Sequence, residues 1–368
     1  MSEIRYGLIG AGYFGSELAR ALTRLPAAKI THVFDPESGA AAAQEFGAIQ
    51  CASIEELCAN SDVDAVIVAS PNWAHREPVV LAAKNGKHVF CEKPIALSYD
   101  DCVTMIDATK SAAVTFMAGH VMNFMNGVRR VKAMIADNAI GDVLFTRAVR
   151  TGWEDAQEHV SWKKQRALSG GHLYHHIHEL DLVQFIMGSA IEVTMVGGNV
   201  AHTGGSFGDE DDMLIITLEF GNNTFAALEY GSAFRWPEHY VLIQGTLGAI
   251  RIDLQDVGIT VTSASGSERF LLHRSEEEDN DRTRIYREST TDGGIMYGSP
   301  GGHPPLWLAG IVEEEMKYFH GLMTGGQPQE EFRALTDGSA ATAAIATADA
   351  LTLSLRESRK VRVSEITG

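Results

Sequence analysis

The chain has 368 residues, 45% of them hydrophobic and 21% charged, a composition that suits a globular protein with two cores rather than one. A formal net charge of −18 repels nucleic acid and anionic lipid, so neither is expected as a partner. No window approaches the roughly 18 apolar residues of a membrane-spanning helix, and strand pattern starts within a few residues of Met1; the expectation is a cytoplasmic protein.

In chain order, the short apolar runs RYGLIG, KITHVFD, DAVIVAS, HVFCEK and TFMAGH are each bounded by Gly, Asp, Ser or Pro, as strands buried on both faces should be. Amphipathic stretches near 14–23, 37–46, 54–60, 73–85 and 99–111 separate them. Such alternation predicts an α/β, doubly wound parallel sheet, a Rossmann domain, over residues 1–122. Cys51, Cys58, Cys91 and Cys102 show no CxxC spacing and read as free thiols.

Past His120 the pattern changes. A helix near 128–137 leads to the strand VLFTRAVRT, a glycine-rich loop and a further helix. From 191 to 273 strand-like runs follow one another across short turns, which predicts a large, mostly antiparallel open sheet. The acidic run 275–281 reads as a solvated loop, and the Gly- and Pro-rich stretch 293–305 as a surface excursion. Helices near 306–323 and 331–356 and a short KVRV strand end the chain. Residues 123–368 thus read as an α+β substrate-binding and oligomerisation domain, whose last helices could pack back on the first domain.

Gly10, Gly12 and Gly15 form G-A-G-Y-F-G between the first strand and the first helix, which Tyr13 and Phe14 open. In that setting the glycines permit a tight turn, close approach of a pyrophosphate and close helix packing, while the helix N-terminus offers N–H groups to the phosphates. Asp35 ends the second strand 20 residues past Gly15, placed to accept both adenosine ribose hydroxyls and to repel a 2′-phosphate. NAD(H) is therefore expected in preference to NADP(H). At later strand tips, where ligands sit in open α/β sheets, come Ser70, Pro71, Asn72 and His75, then Glu92, Lys93 and Pro94.

With PNWAH at 71–75, GKHVFCEKP at 86–94, SGGHLYHHIHELD at 169–181, AIGDVLF at 139–145 and GTLGAI at 245–250, the chain resembles the Gfo/Idh/MocA oxidoreductases over most of its length. The resemblance implies hydride transfer between a nicotinamide and a secondary alcohol or ketone of a sugar, polyol or glycoside. It implies Lys93 as the cation at the reacting oxygen, a cis bond before Pro94, and His178 as the catalytic histidine, with His175 and Asp181 at the substrate. A homodimer or homotetramer through the C-terminal sheet is implied as well. Relatives can also recycle bound NAD while cleaving a glycosidic bond, or the fold can serve as a non-catalytic NAD(H) sensor.

Three departures stand out. Tyr174 replaces the family's usual aspartate, His176 its glycine, and Asn123 an arginine common in relatives. On one continuous helix Gly171, Tyr174, His178, Asp181 and Phe185 would share a sector, so Tyr174 is expected to join Lys93 and His178 in catalysis and substrate binding; Leu173, Ile177 and Leu180 would face the core. His172, His176 and Glu179 would share a third face with spacing that permits metal ligands, or would line a polar pocket or subunit contact; no metal is assigned. Trp153 and Trp162 could stack on a sugar ring or pack in a core or oligomer contact, and with Trp236 and Tyr240 they stay outside the predicted site.

Overall fold

Residues 3–288 and 304–368 are described in the computed structural model. β1 (Ile4–Ile9), β2 (Ala28–Phe34), β3 (Ile49–Gln50), β4 (Ala65–Val68), β5 (His88–Glu92) and β6 (Phe116–Gly119) form one sheet in the order β3-β2-β1-β4-β5-β6, all parallel. Every side chain of β4 and β6 is buried, as in a sheet covered on both faces. The order reverses between β1 and β4, the switch point at which such sheets open a ligand crevice. Helices α1 (Tyr13–Thr23), α2 (Gly39–Phe46), α3 (Ile54–Ala59), α4 (Arg76–Lys84) and α5 (Tyr99–Ser111) are the crossovers. Ser53 and Ser98 cap α3 and α5 by accepting the N–H groups of Glu56 and Asp101. Only β3 escapes sequence reading: two exposed residues carry no periodicity. The four cysteines are free and buried.

A second sheet has nine strands in the order β14-β13-β12-β11-β7-β10-β9-β8-β15. Its members are β7 (Val143–Trp153), β8 (Glu192–Gly198), β9 (Met213–Glu219), β10 (Phe225–Gly231), β11 (Ala233–Gly245), β12 (Gly248–Asp253), β13 (Gly258–Ser263), β14 (Gly266–Phe270) and β15 (Val361–Arg362). Only the β10–β7 pair is parallel. Leu214, Ile216 and Leu218 of β9 are buried while Ile215 between them is exposed, so one face is covered and the other, with Val196 and Phe225, is open. Helices α6 (Asn126–Ala136), α7 (Arg166–Ser169), α8 (His172–His175), α9 (His178–Met187) and α10 (Glu276–Glu288) come before residue 289, and α11 (Leu306–Met323), α12 (Arg333–Thr336), α13 (Ser339–Glu357) and α14 (Ser364–Thr367) follow 303. α9 packs against β7.

Contacts divide the chain into two compact units, one up to Val121 with Val312–Ile345, the other Met122–Ile311 with Ala346–Gly368; the divisions fall inside α11 and α13. Three expectations need correction. The acidic run is not a solvated loop but the start of α10, whose Glu278, Asp279, Arg282 and Tyr286 are buried. Asp279 accepts the N–H groups of Leu272 and His273 and the His273 Nδ1 at 2.8–3.0 Å, so a polar face is buried by hydrogen bonding where no apolar stripe marks it. The helix expected over 331–356 is interrupted at Gly338, whose φ of +82° lies outside the helical range. The single helix expected through 171–185 is broken at His176 (φ −106°, ψ 40°). Of the surface excursion at 293–305, all but the last two residues lie outside the described residues.

Candidate active site

In the first unit the glycine loop has the shape a pyrophosphate requires. Gly10 has φ +88°, and a Cβ there would lie 2.4 Å from the Ser70 nitrogen; one on Gly15 would lie 2.0 Å from the Gly10 carbonyl oxygen. A Cβ on Gly12 would meet nothing within 4 Å, so the outer side of the loop is open just where α1 begins. Tyr13 and Phe14 form the first turn, and Ser16 N–H donates to the Gly12 carbonyl at 3.0 Å. These features fit a dinucleotide.

Asp35 sits at the end of β2, and its carboxylate also builds the loop. One oxygen accepts Ala11 N–H at 2.9 Å, the other the N–H groups of Glu37 and Ser38 at 2.8 and 2.7 Å. The position expected to read the ribose thus ties the glycine loop to the turn after β2. His75, expected at the cofactor, is instead a buried brace: Nδ1 lies 2.9 Å from the Pro94 carbonyl and Nε2 2.8 Å from that of Ser70. Both ring nitrogens are engaged with backbone, which locks the loop after β4 to the one after β5. Ser70 Oγ donates to the Ala74 carbonyl, and Pro71 and Asn72 lead into the intervening turn, with Asn72 buried.

β5 delivers Glu92, half-buried Lys93 and Pro94 in sequence, and the Lys93–Pro94 peptide is cis. Glu92 is buried, with one oxygen accepting Lys93 N–H at 3.1 Å. Burial pushes its carboxyl up to about 7, against the pull of Lys93 and His120. Glu315 of α11 lies fully buried in the same unit, and among the described residues neither of its oxygens has a hydrogen-bond partner. Burial and the Glu92 charge push it well above the carboxylate range. Sequence reading missed Glu315 because nothing in the run Glu313-Glu314-Glu315 singles out one carboxyl.

A folded-state value above the unfolded one means that this contribution to stability is complete below the unfolded value of about 4.3 and is lost as pH rises toward the folded one, at roughly 1.4 kcal/mol per pH unit. Thermal unfolding of Glu315→Gln between pH 5 and 8 is therefore expected to fall less steeply with pH than that of the native protein. Parallel curves would mean that Glu315 is ionised in the fold.

In the second unit, the break at His176 separates Tyr174 from the face of α9. Tyr174 is buried and its hydroxyl donates to Asp349 of α13, with burial and that carboxylate both raising its pKa far above the usual phenol range. The expected catalytic role for Tyr174 is corrected accordingly: its proton is committed to Asp349, and the pair anchors α8 to α13. Asp181 is buried and accepts the Asn123 amide at 3.2 Å. His178 and His175 are half-exposed, whereas Leu173, Ile177 and Leu180 are buried in line with the spacing.

Glu179 is fully buried, 3.3 Å from Arg150 Nη1 of β7 and 2.7 Å from His239 Nε2 of β11, while His239 Nδ1 meets the Tyr286 hydroxyl of α10. Burial alone would raise its pKa, but Arg150 and His239 outweigh that and hold the carboxyl far below the usual range. The His172 and His176 rings lie 4.5 Å apart, tilted by 49°, and His172 approaches Glu210 at 3.8 Å, while Glu179 is committed to Arg150 and His239. Among the described residues no three His, Cys, Asp or Glu side chains are arranged to hold a metal.

Sequence profiles described as "Oxidoreductase family, NAD-binding Rossmann fold" and "Oxidoreductase family, C-terminal alpha/beta domain" match residues 4–120 and 132–363. The chain belongs to the Gfo/Idh/MocA oxidoreductase family. Within it, the chain is 55% identical to a 2,7-anhydro-N-acetylneuraminate hydratase of Mediterraneibacter gnavus over 100% of this chain and 99% of that one. It is 53% identical to the protein of the same name from Escherichia coli, over 99% and 98%. Among solved structures, levoglucosan dehydrogenase in complex with NADH and L-sorbose superposes with a TM-score of 0.79 over the whole of both chains at 22% identity, a likeness of fold. No described helix is long and apolar enough to cross a membrane.

Proposed function

We propose that this Gfo/Idh/MocA protein is an NAD(H)-dependent enzyme that hydrates an anhydro-sugar acid of the 2,7-anhydro-N-acetylneuraminate type. The observation that carries the reading is the pair of full-length relatives of that name at 55% and 53% identity, joined to a glycine loop open at Gly12. Bound at that loop, the nicotinamide would supply a reversible hydride acceptor, so that a carbinol of the sugar can pass through its ketone and return with no net redox change. A ketone acidifies the neighbouring C–H and lets the bridging oxygen one carbon further leave, after which water adds.

Gly10, Gly12, Tyr13, Phe14, Gly15 and Asp35 would hold the cofactor, and the Asp35 charge, followed by Pro36 rather than a cation, favours NAD(H) over NADP(H). Lys93 would stabilise negative charge on the substrate oxygen, and His178 would take and return the hydroxyl proton, a task suited to imidazole near neutral pH. His175 and Asp181 would orient the substrate. The open face of the nine-stranded sheet is the surface we assign to self-association.

Purified protein, NAD and 2,7-anhydro-N-acetylneuraminate, followed together by mass spectrometry and absorbance at 340 nm, test the reading. The expected result is a product heavier by one water without NADH in stoichiometric amount. NADH equal to product would replace hydration by net dehydrogenation of a sugar or polyol; NAD binding with no turnover would point to a sensor.

A further inference from the structure

A bulged strand pair in the second unit carries an arginine and two tryptophans to which no role has been assigned so far. Ala233 pairs with Trp153 and Glu238 with Thr151, so four residues of β11, Phe234 to Pro237, stand opposite the single Gly152 of β7. This oversized bulge is pinned: Thr151 Oγ1 accepts Glu238 N–H at 3.1 Å and lies 3.4 Å from the Trp236 carbonyl, and Pro237 has no N–H to return to the ladder. The bulge lays the Arg235 guanidinium over the Trp153 ring, 3.4 Å from its centroid, while His202 packs edge-on to the same ring at 4.7 Å. Beside it Trp236 is 80% exposed.

Arg235 forms no ion pair with any described carboxylate, in contrast to Arg147, Arg166 and Arg251 of the same unit. A guanidinium stacked on an indole has lost its rotational freedom, yet its planar fork of donors stays open, and that fork matches a carboxylate in two-point contact. The location is also defined. Glu154, next to Trp153, bonds Lys164 at 2.7 Å; Lys164 bonds Glu210 at 2.6 Å; Glu210 approaches His172 of α8. The bulge therefore lies at the end of the sheet that carries α8, whose last residue is His175.

We propose that Arg235, stacked on Trp153 and followed in the chain by the exposed Trp236, binds the carboxylate of an acidic sugar substrate. This rests on the proposed function and narrows it: among otherwise similar hydroxylated sugars, the protein selects those bearing a carboxylate.

The test compares native protein with Arg235→Ala and Arg235→Lys. KM for 2,7-anhydro-N-acetylneuraminate is expected to rise roughly 10- to 100-fold in the alanine variant with kcat changed only a few-fold, because the lost contact is present throughout the reaction. The lysine variant, having charge without the fork, should fall between. The methyl ester of the same sugar should bind native and alanine proteins alike, and Kd for NAD, read by fluorescence, should not move. An unchanged KM overturns the proposal, as does an NAD affinity weakened by the same factor, which would make Arg235 a cofactor-phosphate ligand. A change in oligomer mass would overturn it in favour of a subunit contact. If native protein does not turn over the sugar, the functional reading fails, and calorimetry of native and Arg235→Ala proteins with N-acetylneuraminate still decides the role of Arg235. Trp236→Ala is the second variant should Arg235→Ala not fold, with a smaller rise in KM expected and an unchanged KM again overturning the site.

Discussion

Lys93→Ala is expected to lower kcat for the anhydro-sugar acid by about 10²–10⁴-fold while NAD remains bound, since in the proposed reaction the ammonium would act on charge that develops at the substrate oxygen rather than on the nucleotide. The fold should tolerate the change. Glu92 loses the cation that holds its carboxyl down, so burial drives it further toward the neutral acid instead of leaving a buried unpaired charge. Saturating steady-state kinetics, with NAD titrated by fluorescence, measure both quantities. Lys93→Arg, which keeps a charge in a different shape, should recover little. Native-like kcat in the alanine variant would remove Lys93 from the mechanism.

The largest effect on stability is expected at Glu179. Replacement by alanine leaves Arg150, itself buried, without its carboxylate, and removes the acceptor of His239, so the sheet and α9 lose their common polar centre. Breaking one partner of such a buried pair costs about 3–5 kcal/mol. Urea unfolding followed by circular dichroism should show a midpoint lowered accordingly, with Glu179→Gln less affected because it retains an acceptor for Arg150. The acid side gives a second readout. A carboxyl held below its ordinary value contributes stability present above about pH 4.3 and lost as pH falls through the folded-state value, so the glutamine variant should lose less on acidification. A midpoint unchanged by the alanine substitution would show that the network is not what secures α9.

Local pattern reaches far in the first unit. The strand, the three glycines, the helix and Asp35 stand in register within 35 residues, and α5 starts and stops where its capping Ser98 and its spacing place it. The reason is that a buried parallel strand must be apolar throughout and a crossover helix must be capped, so both leave marks in neighbouring residues. Much of the large antiparallel sheet is legible too, since from β9 to β14 the turns are short and residues alternate between a covered and an open face, although the run read at RFLLH overshoots β14, which ends at Phe270.

What local pattern leaves open is which polar groups meet across long separations. Tyr174 could be taken for a proton relay until Asp349, 175 residues away, accepts its proton. His75 looks like a cofactor ligand until Pro94 and Ser70 occupy its two nitrogens. The acidic run in α10 looks solvated until Asp279 meets His273 and Tyr286 meets His239, and Glu315 is one acid of three until the fold buries it. The nucleotide-binding domain, its glycine loop and the strand tips that carry Glu92 and Lys93 are readable from the chain alone, because hydrophobic burial and backbone conformation are written in adjacent residues. Which carboxylates, histidines and arginines brace the fold and which are left for chemistry emerges from long-range packing, because a buried polar group must be satisfied by whatever partner the fold brings within hydrogen-bonding distance, and that partner can come from anywhere in the chain.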